Sequence, residues 1–228
     1  QSYVRHSPPL RERARGRLVV CLHGPPRQGV QSVVLPFPFL PQLSRDRAVQ
    51  HALLTLHGLG ALSAKGRITP VGRSMASLPL EPAYARVLLA SFELGCPRDI
   101  IDLVALLGAR DSLLISNIAT RDEANKARRK FAHRTGDHIM LLNILRAYED
   151  VEGHMKAAWC RDNFINARAM GQVLETRKQL QERCQRLGLD SSPSAGDDSE
   201  PVLSALVAGL FANTAVLQPD GSYRHALS

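Results

Sequence analysis

Aromatic side chains make up only 5% of the 228 residues, too few for an extended platform of rings stacked on bases. The four cysteines, at 21, 96, 160 and 184, form no CxxC and no close pair. That excludes a zinc ribbon and a disulfide framework and suits a reducing compartment. No apolar run reaches the ~18–20 residues of a membrane span, because Pro, Gly or a charge interrupts each candidate. The chain opens with QSYVRH, without an initiator Met or a signal peptide, so a piece of something longer is expected.

Catalytic motifs are scarce as well. Gly24-Pro-Pro-Arg-Gln-Gly29 has the spacing of a phosphate loop, but Val30-Gln31 stand where a Lys and a hydroxyl would have to reach phosphate and Mg²⁺. Gly72-Arg-Ser-Met-Ala76 lacks the second glycine of a nucleophile elbow. His133 and His138 are five apart with no Glu in HExxH register, so no metal site is expected. Asp137 precedes a helical run and reads as an N-cap or first-turn acid, not as a catalytic base. No catalytic residue, cofactor or metal is expected in these residues.

What remains is ordinary globular material, 44% apolar and 22% charged. Lys and Arg number 29 against 21 Asp and Glu, a net charge of 29 − 21 = +8 that favours an anionic partner such as nucleic acid. Residues 1–17 read as a basic arm. Residues 18–79 begin with a stretch broken by Gly24-Pro25-Pro26 and continue as helix, small hairpin and helix, the pattern of a winged helix. Residues 80–189 are helical throughout and read as a bundle, with Trp159 and Phe164 as core anchors. Residues 190–200, rich in Ser and carrying the acids Asp190, Asp197, Asp198 and Glu200, read as an exposed acidic linker. Residues 201–228 read as a last helix with the start of a hairpin. Two basic clusters stand out. Residues 121–134 carry Arg128, Arg129, Lys130 and Arg134, and 168–186 carry Arg168 and Arg177. Cations at such spacing can meet successive phosphates, or can simply be a solvated helix face.

Several segments together resemble one family. Leu59-Gly60-Ala61-Leu62, Gly66, Thr69, Gly72, Met75-Ala76, Pro79-Leu80, Pro82 and Gly95-Cys96 resemble the winged helix of DEAH-box ATP-dependent RNA helicases. Lys130-Phe131, Gly136-Asp137-His138 and Leu141-Leu142-Asn143 match the next block, and Trp159-Cys160 with Asn163-Phe164 the one after it. Val207 to Ala215 with Gly221-Ser222-Tyr223-Arg224 is similar to the lead-in to that family's oligonucleotide-binding fold (OB-fold), and this ending most resembles a spliceosome-associated branch.

The resemblance implies a mainly α fold, a winged helix followed by a helical ratchet bundle and truncated at the start of the OB-fold. It implies an accessory region that helps form a single-stranded RNA channel and couples motor movement to translocation. ATP and magnesium would belong to RecA-like motor domains of the same protein. The expected partners are single-stranded RNA, those motors and a glycine-patch activator, and the expected place is the nucleus, in mRNA splicing. Gly136, Asp137, His138, Asn143, Trp159 and Phe164 enter as family-motif residues with structural roles. An independent winged-helix adaptor for nucleic acid or protein is the alternative.

Overall fold

The computed structural model describes residues 47–218 and 221–225; the basic arm, the broken stretch up to residue 46 and the Gly24–Gly29 turn lie outside the described residues. The fold is mainly α. Its helices are α1 (Arg47–Gly58), α2 (Pro70–Ala76), α3 (Pro82–Glu93), α4 (Pro97–Gly108), the single turn α5 (Arg110–Leu113) and α6 (Arg121–Arg128). There follow α7 (Asp137–Glu149), α8 (Lys156–Asp162), α9 (Ala167–Arg186) and α10 (Glu200–Leu210), and then a hairpin of β1 (Ala215–Leu217) and β2 (Tyr223–His225). The two strands pair antiparallel with Ala215 opposite His225. Packing divides the chain into two units, one of residues up to Leu89 with those from Val207, the other of Ala90–Leu206.

The first unit is organised by its turns. Helix α1 buries Ala52, Leu53 and Leu56 at helical spacing. Gly60, at φ 73°, then reverses the chain in a left-handed conformation that suits glycine. The small hairpin is one antiparallel bridge, Leu62 to Ile68. Thr69 closes it and opens α2 together: its hydroxyl donates to the Gly60 carbonyl at 2.6 Å and accepts from the Gly72 amide at 3.0 Å. Pro70 supplies the first helical position, where its missing N–H costs nothing. Two glycines let backbones touch. A Cβ on Gly72 would overlap the Ala61 carbonyl oxygen, and one on Gly209 of α10 would overlap that of Ala83 in α3.

The second unit is a bundle around α4, which packs against α7 and α9. Ile100, Ile101, Leu103 and Leu106 of α4 are fully buried. They meet Leu141, Leu142, Ile144 and Leu145 of α7 and Met170, Val173 and Leu180 of α9, all of them buried. Each such side chain contributes about 1.5–3 kcal/mol on burial.

The 190–200 segment is mostly exposed, as its composition predicts, and it is also tethered. The Pro193 carbonyl accepts from the Arg98 amide at 3.0 Å, and the Ala195 amide donates to Asp99 at 2.7 Å. The segment is a strap fastened to the start of α4.

Candidate nucleic-acid interface

Helix α6 is polar, with Ala124 and Arg128 as its buried residues. A helix with so little apolar surface needs another tether, and Arg128 provides it. Its Nη1 donates to the Ile115 carbonyl at 3.1 Å and to the Phe164 carbonyl at 3.2 Å, with the residue only 8% exposed. The Ile115 amide donates to the same Phe164 carbonyl at 2.9 Å. Arg128 thus ties α6 to the turn before α9. Burial pulls its pKa below the ordinary value, and two carbonyl oxygens occupy Nη1, so this cation is committed to the fold.

Arg177, on α9, is spent in the same way. Its Nη1 donates to Glu149 of α7 and stands 3.6 Å from Asp102 of α4. Asp102 Oδ1 is buried and accepts no hydrogen bond, since 3.6 Å makes an ion pair but exceeds hydrogen-bond reach. Burial raises the Asp102 pKa to about 6; Arg177 pulls it back and Glu149 pushes it up. Of the six cations singled out by charge, Arg128 and Arg177 are therefore internal clamps. Arg129, Lys130, Arg134 and Arg168 are exposed. Lys130 Nζ rides 5.0 Å above the Phe131 ring, which limits its wandering while leaving the ammonium outward. Lys126, one turn before Lys130, is exposed as well and extends this stripe.

Arg129 and Lys130 follow the Arg128 clamp directly. Arg168 follows the Phe164 carbonyl, which that clamp grips, by one turn. A single buried guanidinium therefore ties the basic segment that carries Arg129 and Lys130 to the turn that precedes Arg168.

The family-motif residues hold this region in shape. Gly136, at φ 107°, is the N-cap of α7, a backbone conformation that L side chains rarely adopt. Asn143 donates to the Phe131 carbonyl at 3.1 Å, fastening the turn of Arg129–Phe131 to α7. His138 is half-buried, and burial, followed by Arg110, holds its pKa down, so the ring is neutral at physiological pH. Trp159 sits between Phe131 and Tyr148, with ring centroids 5.8 and 5.7 Å away.

One of these residues differs from expectation. Phe164 is only half-buried, and it acts through a strained backbone at φ 54° whose carbonyl takes Arg128. Gly136 is the cap of α7, and Asp137, its first residue, is the first-turn acid of the two readings its position allowed. Its side chain is 71% exposed, with Arg110 at 3.8 Å, so it contributes little beyond the favourable charge at a helix start.

Sequence reasoning missed Asp99, Asp102 and Arg146. The signal was there: two acids three residues apart in PRDIIDLVALLG, an otherwise apolar helix. The winged helix is a poor reader of duplex grooves, because α2 carries Arg73 as its one cation. Among the described residues no three His, Cys, Asp or Glu side chains converge as metal ligands, and no helix is long and apolar enough to cross a membrane.

Comparison with known families agrees with this architecture. The family described as "Helicase associated domain (HA2), winged-helix" matches residues 52–80. The one described as "Helicase associated domain (HA2), ratchet-like" matches residues 81–141. The mouse (Mus musculus) "ATP-dependent RNA helicase DHX33" is 41% identical over 193 residues, which cover 83% of this chain and 27% of that protein. The Arabidopsis thaliana "Pre-mRNA-splicing factor ATP-dependent RNA helicase DEAH10" is 32% identical over 209 residues, 86% of this chain and 29% of its own length. The human "Probable ATP-dependent RNA helicase DHX35" is 32% identical over 192 residues, 84% of this chain and 27% of its own. The chain thus spans little more than a quarter of the length of these relatives.

Proposed function

The chain is a helicase-associated region of the DEAH-box RNA helicase kind, winged helix followed by ratchet, and on that premise we propose that it lines a single-stranded RNA path and passes motor movement on to the strand. The observation that carries this reading is that Arg129, Lys130, Arg134 and Arg168 are exposed, on segments that the Arg128 clamp ties together. Arg128 anchors the backbone next to Arg129 and Lys130, while the exposed side chains themselves are left to meet phosphates. Contacts of this kind are sequence-independent, which suits a strand that must slide.

In this reading the whole protein is an ATP-dependent RNA helicase. ATP and magnesium would be handled by motor domains outside the described residues, which offer no phosphate-binding loop, and no step of hydrolysis is assigned to them. The motors would be the partner of this region within the same protein. The winged helix would be where a glycine-patch activator docks, and Leu54 on α1 and Val71 on α2, 56% and 37% exposed, offer it apolar side chains. The splicing-factor name of the Arabidopsis relative supports nuclear work on pre-mRNA.

The test is fluorescence anisotropy of a labelled single-stranded RNA across a salt series. Binding should weaken steeply with salt. Replacing Arg129, Lys130 and Arg134 together by Ala should flatten the log–log slope by about 2. Binding that is unaltered by the triple change, or absent at low salt, would overturn the assignment.

A further inference from the structure

The strap between α9 and α10 is fastened by a single buried acid. Asp99, its side chain 4% exposed, receives the Ser194 hydroxyl at 2.9 Å from either carboxylate oxygen and the Ala195 amide at 2.7 Å. Arg146 Nη2 neutralises this carboxylate at 2.9 Å and donates to the Gly196 carbonyl at the same distance. The Ser194 hydroxyl carries the one proton that makes its contact with Asp99 attractive. The residue itself is exposed, and Asp197 and Asp198, both exposed, stand three and four positions after it. Acid-directed serine kinases read a carboxylate at the third position after the serine, and presenting Ser194 breaks only the few hydrogen bonds that fasten the strap, leaving the apolar core untouched.

We propose that Ser194 is a phosphorylation site for an acid-directed serine kinase, and that its phosphate unlatches the strap from α4. The kinase would transfer the γ-phosphoryl group of ATP to Ser194 Oγ. The hydroxyl proton goes to the kinase's base, the new P–O bond forms, the bond to the β-phosphate breaks and ADP leaves. The donor that faced Asp99 becomes a group of roughly −2 charge at neutral pH. Arg146, with one positive charge, cannot neutralise both the phosphate and the buried carboxylate. The hydrogen bonds from Ser194 and Ala195 to Asp99 then give way, and the Pro193 contact with Arg98 goes with them. This switch does not depend on the RNA reading.

The experiment treats the whole chain with ATP and a casein-kinase-type acid-directed enzyme. The phosphate is mapped by mass spectrometry, and amide hydrogen exchange is followed before and after. Phosphate on Ser194 is expected, with the Ala195 and Arg98 amides exchanging about tenfold faster or more while α9 amides keep their rates. Ser194→Ala should block uptake and leave the Arg98 amide protected. Asp99→Asn, which loosens the strap without phosphate, should speed uptake. Phosphate confined to Ser191, Ser192 or Ser199, no uptake at all, or a modified Ser194 with unchanged exchange would each overturn the proposal.

Discussion

The two units of this chain are held together by different physics. In the first, elements meet at glycines, where Gly72 lies against Ala61 and Gly209 against Ala83 with no room for a methyl group. In the second, every buried polar or charged side chain of the described residues is found: Ser91, Asp99, Asp102, Arg128 and Asn163. There the helices are joined by ion pairs and carbonyl clamps laid over an apolar core. The first unit should therefore be intolerant of one added carbon and indifferent to pH. The second should tolerate small volume changes at its surface and respond to charge.

The largest expected effect comes from the steric side. Gly209→Ala or Gly72→Ala places a Cβ against backbone atoms that cannot swing aside, and should cost about 3 kcal/mol or more in a denaturant melt. A loss below about 1 kcal/mol in both would break the comparison.

On the electrostatic side, Arg177→Met leaves Asp102 and Glu149 facing each other without their cation. That should cost about 3 kcal/mol at pH 7 and less near pH 5, where Asp102 takes up a proton.

A subtler test is the pH dependence itself. The Asp102 pKa is raised from 3.8 to about 6, so the native state holds this proton more tightly than the unfolded chain does. Its contribution is fully present below pH ~4 and is lost as the pH rises through about 6. Thermal melts should show on the order of 3 kcal/mol of stability disappearing across that window. Asp102→Asn, which is neutral at every pH, should flatten the curve.

The smallest effect belongs to Asp137→Ala. Its exposed carboxylate supports only the start of α7, so the melt should shift by less than about 1 kcal/mol. A large loss would mean that this family-motif acid does more than its geometry shows.

The legible and illegible parts of the molecule divide along the chain's own length scale. Helix starts at Pro70, Pro97 and Asp137 and the stop before Gly95 follow from residues within one turn of each other: a proline at the first helical position, an acid in the first turn, a glycine at positive φ past the end. The winged-helix turn is legible for the same reason, since Thr69 caps α2 and closes the hairpin with neighbours no more than nine positions away. The cations are not. Arg128 and Arg129 are adjacent, identical residues on a basic segment, yet one is a buried clamp and the other lies open to solvent. Arg177 and Lys178 repeat the contrast on α9. Charge count and spacing are the same in each pair.

By itself, then, the sequence determined the mainly α character and the order of winged helix and ratchet bundle, because backbone dihedral limits and hydrophobic periodicity act over a few residues. Only the tertiary structure decided which charges are free, because a clamp's partner is distant in sequence. Arg128 finds Phe164 across 36 positions, and Ser194 finds Asp99 across 95. Burying a charge is stable only where such a partner stands ready, and packing alone puts it there.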